Sequence, residues 1–171
     1  MGLLDKLKGT RRPDDGVAPK AEADVRAALL AINRETAPFV IREPQGDEKA
    51  DLVAEWKIVD AKWYEVFAKA SLTKVFKVLM RFDSETHEVR AVDQDWTVEW
   101  SAGMPSLSLS AEKFRGQKTS VEFGQAFAFT ETLEYGEVYK YKFATGEIKG
   151  PLSDAVTAAG WTWRAVAFGK L

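Results

Sequence analysis

Cysteine is absent from the chain, and several kinds of chemistry go with it. Without a thiol there is no disulfide, no thiolate nucleophile, no thiolate-bound zinc and no iron–sulfur cluster. The lack fits a reducing compartment, and the cytoplasm is the expected location. Histidine occurs once, as His87. A Ser-His-Asp triad would have to use that one residue, and a site built from several histidines of one chain is excluded. Neither the GxxxxGK[ST] nor the GxGxxG pattern occurs, so no phosphate-cradling loop is expected. No apolar run approaches the roughly 18 residues needed to cross a bilayer. The start, MGLLDKLKG, is too short and too charged for a secretory leader. An excess of positive charge is lacking too: 24 Lys and Arg stand against 26 Asp and Glu, a net charge of −2. That balance argues against nucleic acid as a partner.

What the chain does contain is core material. Of its 171 residues, 46% are hydrophobic and 12% aromatic, with six tryptophans. That is enough for one globular domain, with aromatic mass to spare for a pocket or an interface. Residues 1–20 read as an amphipathic segment and linker, and residues 21–171 as a single domain. In the first segment Leu3, Leu4 and Leu7 share one side of a short helix beside Lys6, Lys8, Arg11 and Arg12. The stretch RRPDDGVAPK then reads as a linker.

Val25, Ala28, Leu29 and Ile32 repeat with helical spacing, and Glu22 and Arg26 are spaced to pair on the wet face. PFVIRE reads as a short strand. DLVAEWKIVD alternates, with Leu52, Ala54, Trp56 and Ile58 on one side. DAKWYEVFAKA changes to a helical period through Trp63, Val66, Phe67 and Ala70. A strand is expected from about Val75, because FDSETHEV looks like the turn of a hairpin. From Glu88 the chain reads as a meander: EVRAVDQDWTVEW, SLSLSA, TSVEFGQAFAFT and VYKYKFAT. GPLSDAVTAAG reads as a helix with Pro151 near its first turn and Gly160 past its end. WTWRAVAF closes the chain as a strand. The expected fold is α+β, a large curved antiparallel sheet with helices packed on one face; a partly closed barrel around a helix is the alternative.

The stretch DQDWTVEW sets carboxylates beside indoles, as a sugar-cleaving enzyme would. Alternation along a strand places Trp96, Val98 and Trp100 on one face and Asp93, Asp95, Thr97 and Glu99 on the other. The expected arrangement is indoles in the core and acids in solvent. One irregularity stands out. Val89 and Ala91 share the parity of the acids, which suggests a β-bulge near Asp93-Gln94 that could re-aim a carboxylate. His87 falls in a turn with Ser84, Glu85 and Thr86, and reads as a surface residue. Lys140 and Lys142 read as a solvated strand face.

The start MGLLDKLKG and the Ala/Val/Trp-rich body have the general look of a small bacterial protein. The leading functional expectation is a non-enzymatic binding domain. Its sheet face, lined by Trp56, Trp96, Trp100, Tyr139, Tyr141, Trp161 and Trp163, would hold an apolar small molecule or a protein partner. No cofactor and no metal is expected. The alternatives are a carboxylate-based hydrolase using Asp93, Asp95 or Glu99, and a peripheral membrane or assembly protein tethered weakly by residues 1–12.

Overall fold

The computed structural model describes residues 9–35, 37, 39–46, 48–57, 74–102, 104–109, 115–116, 128–132, 138–142 and 145–166. Within these, the side chains of 74, 109, 115–116, 128–132, 138–142 and 145–147 lie outside the description. So do the expected N-terminal helix up to Lys8, the helix expected over Asp60–Ala70, and most of the strand expected in TSVEFGQAFAFT.

The fold is α+β. In chain order the elements are α1 (Glu22–Leu30), β1 (Phe39–Arg42), β2 (Leu52–Trp56), β3 (Lys74–Asp83), β4 (Glu88–Ser101), β5 (Met104–Leu109), β6 (Arg115–Gly116), β7 (Ala128–Thr132), β8 (Val138–Lys142), α2 (Thr145–Ala158) and β9 (Thr162–Ala165). A curled sheet runs β1-β2-β3-β4-β5, with β6 and β9 also paired to β4. β7 and β8 form a separate antiparallel pair.

The hub is β4, which is 14 residues long. Along one edge it pairs with β3 without interruption, from Asp83↔Glu88 to Lys74↔Thr97. The other edge is shared. Glu88–Ala91 takes β9, Asp93-Gln94 takes β6, and Trp96–Ser101 takes β5. The β4–β9 pairing is parallel, which a simple meander does not provide. A parallel neighbour needs a crossover, and α2 immediately precedes β9.

Register assigns the faces. Phe39, Ile41, Leu52, Ala54, Trp56, Phe76, Val78, Met80, Val89 and Ala91 alternate onto one face and are buried there. Val25 and Leu29 of α1 and Ile148, Leu152 and Val156 of α2 join them in one contiguous core. The opposite face is also closed in part, since Val53, Leu79 and Val92 line up across three strands under Ala50 and Val166.

α1 starts without a side-chain cap, but Glu22 and Asp24 stand in its first turn, where negative charge favours the helix N-terminus. The expected Glu22–Arg26 pair gives way to longer-range contacts. Arg26 binds Glu43 at 2.9 Å and lies 5.2 Å over the Phe82 ring, while Glu22 accepts from Ser84. Below α1, the amide of Asn33 exchanges two hydrogen bonds with the Ile41 backbone, both 2.7 Å, as a neighbouring strand would at the edge of β1.

α2 begins at Thr145, so Pro151 lies inside it and not in its first turn. Ile148, one turn before Leu152, continues the apolar stripe and is fully buried, which carries the helix upstream of the proline. The end of α2 follows the expectation. Gly160 has φ +77°, Trp161 N–H donates to the Val156 carbonyl at 3.1 Å, and Gly160 N–H donates to Thr157 at 3.0 Å. That is a Schellman ending.

Residues 11–20, expected as a linker, run along the domain. Arg11 and Trp163 exchange backbone hydrogen bonds of 2.8 Å in each direction. The Arg11 guanidinium reaches Ser153 and Asp154 at 2.5 Å. Lys20 N–H donates to Ala159, and the Trp161 indole donates to the Lys20 carbonyl.

Candidate functional site

The carboxylates of DQDWTVEW are not in solvent as expected. Asp93 is 0% exposed and Asp95 is 9% exposed. No bulge turns them, because β4 holds its register with β3 throughout. Plain alternation does the work. Asp93 stands opposite Val78 and Asp95 opposite Phe76, so both occupy the helix-covered face in the same rows as Val89 and Ala91. The expectation failed in one assumption, that the face away from the indoles is wet. Both faces of the sheet are covered at the middle of β4, where Val92 and Asp93 are each fully buried. Glu99, farther along, is exposed as expected, and Thr97 is half-buried.

A buried carboxylate needs a partner, and α2 supplies one that sequence reasoning missed. Lys149 Nζ donates to Asp93 Oδ2 in a pair whose side chains are 15% and 0% exposed. Burial pushes the Lys149 amine below its ordinary value, and the charge and hydrogen bond of Asp93 recover only part of the shift. Asp95 lies about 7 Å along the same face, given the strand rise. The result is a carboxylate–ammonium pair bridging β4 and α2, with a second buried carboxylate on the same face of β4. In chemical terms, such a group can exchange a proton or hold a polar ligand. The signal for Lys149 was present in the sequence: with Ile148 on the apolar stripe, Lys149 belongs to a helix that starts before Pro151.

The opposite face carries a second polar system. Glu55, Lys77 and Gln94 are cross-strand neighbours on β2, β3 and β4. Arg42 grips Glu48 at 2.7 Å and Glu55 at 2.8 Å, and Lys77 meets Glu55 at 3.1 Å. Burial raises the Glu55 carboxyl, but the Arg42 hydrogen bond and the Lys77 charge outweigh it and hold the group below its ordinary value. Glu48 is lowered by the same balance of burial against Arg42. Its hydrogen bond to Glu48 leads in pushing Arg42 still higher than usual. Lys77 Nζ also stands 4.3 Å above the Trp96 ring, whose indole donates to Gln94 at 2.9 Å.

The seven aromatic residues expected to line one face are divided. Trp56 is 4% exposed and wedged edge-on between Phe39 and Phe76. Trp163 pairs with Val89 and is 2% exposed; Trp161 is 1% exposed against Phe82. These three fill the core. Trp96 and Trp100 are half-buried against its margin, and Trp96, opposite Val75, points to the face away from Asp93 and Asp95. Tyr139 and Tyr141 lie on β8, and their side chains are outside the described residues.

His87 is exposed at φ 53°, with its ring 5.6 Å from Trp161. Asp83 accepts the Glu85 and Thr86 amides with one oxygen and meets Arg90 with the other, which is turn chemistry. Among the described residues no group of three or more His, Asp and Glu side chains is arranged to hold a metal ion, and no helix is long and apolar enough to cross a membrane. Compared with family models, curated proteins and solved structures, the chain matches none.

Proposed function

We propose that the protein is a non-enzymatic binding domain that takes an apolar ligand or a partner segment against the sheet face carrying Trp96 and Trp100. The division of the tryptophans supports this reading. Trp56, Trp161 and Trp163 are committed to the core, whereas Trp96 and Trp100 keep part of their surface. An indole with an ammonium 4.3 Å above it offers an apolar platform beside a cation, suited to a ligand with an apolar body and a polar end. The test is a titration of the folded protein with 1-anilinonaphthalene-8-sulfonate. Saturable fluorescence enhancement is expected, weakened at least about tenfold in the Trp96→Ala/Trp100→Ala variant, a loss of roughly 1.4 kcal/mol. Enhancement that never saturates, or that is unchanged in a folded variant, would count against the face.

A second reading, a carboxylate-based hydrolase, gains support from the burial of Asp93 against Lys149 and of Asp95 on the same strand face. Buried ionisable clusters are where acid–base chemistry is tuned. In this reading Lys149 holds Asp93, and Asp95 is the proton-transferring group. A panel of chromogenic glycosides and esters tests it. Turnover abolished by Asp95→Asn supports the reading; no turnover on any member, or turnover that survives the substitution, goes against it.

A further inference from the structure

We draw no further inference here: the strongest candidate, the Asp93–Asp95–Lys149 cluster between β4 and α2, belongs to the site already described.

Discussion

Removing the Lys149 amine should harm the protein more than removing the whole Asp93–Lys149 pair. In Lys149→Met the stem of the side chain remains but the charge is gone, and Asp93, 0% exposed, is left as a carboxylate without its ammonium. Breaking a buried pair in this way costs up to about 3–5 kcal/mol, less the burial penalty that leaves with the ammonium. For a domain of this size that is a fall in Tm of up to roughly 6–20 °C. Replacing both partners with apolar groups, Asp93→Leu/Lys149→Met, removes the desolvation penalty of both ions. It is expected to be neutral or stabilising by about 1–4 kcal/mol. Urea denaturation followed by tryptophan fluorescence reads both, with Trp161 and Trp163 as core reporters and the m-value as the check on two-state behaviour.

The pH dependence has a definite sign. The folded Lys149 amine titrates below its unfolded value of 10.5. Between the depressed value and 10.5 the unfolded chain therefore binds more protons than the folded one, and this group's contribution to stability rises with pH. Subtracting the Lys149→Met profile from wild type should expose that rise. A Lys149→Met variant within about 0.5 kcal/mol of wild type, or a double variant as unstable as the single one, would refute the reasoning. The first would mean that water screens the pair.

Gly160→Ala should destabilise by well over about 1 kcal/mol, because a Cβ there would lie 2.5 Å from the Ala18 carbonyl oxygen at φ +77°; a thermal melt matching wild type would contradict this contact between residues 9–20 and the end of α2. Glu55→Gln should cost roughly 1.5–3 kcal/mol at pH 7, as a charge-assisted partner of Arg42 and Lys77. Glu55 and Glu48 titrate below 4.5 when folded, so the stability they add is complete above that value and is lost as the pH falls through their depressed values. Acid unfolding of Glu55→Gln should show a shallower limb in that window, and an identical limb would dismiss the effect. Asn33→Ala should lose about 1–3 kcal/mol and speed hydrogen exchange at the Ile41 amide, which donates to Asn33 Oδ1; unchanged exchange there would show that the edge of β1 does not depend on Asn33.

Local pattern carried most of the fold. Alternation in LVAEW and EVRAVDQDWTVEW marked β2 and β4 because a strand shows opposite faces to successive residues, whatever surrounds it. FDSETHEV marked the β3–β4 hairpin, and Gly160 marked the end of α2, because turns and helix ends demand backbone angles that few residues accept. The candidate site was only half legible. Parity correctly separated Asp93 and Asp95 from Trp96, and the Val89–Ala91–Asp93 sequence already placed the acids on an apolar row.

Which faces of β4 are covered was decided by tertiary structure alone. A strand pattern records which residues share a side, but burial depends on what packs against that side from elsewhere in the chain. Here α2 returns after four intervening strands among the described residues to cover the acidic side with Ile148, Leu152 and the Lys149 amine. The parallel insertion of β9 beside β4, and the antiparallel bridge from Arg11 to Trp163, are likewise pairings between distant segments. Their hydrogen bonds run between backbone groups that every residue except proline carries, so no local motif announces them.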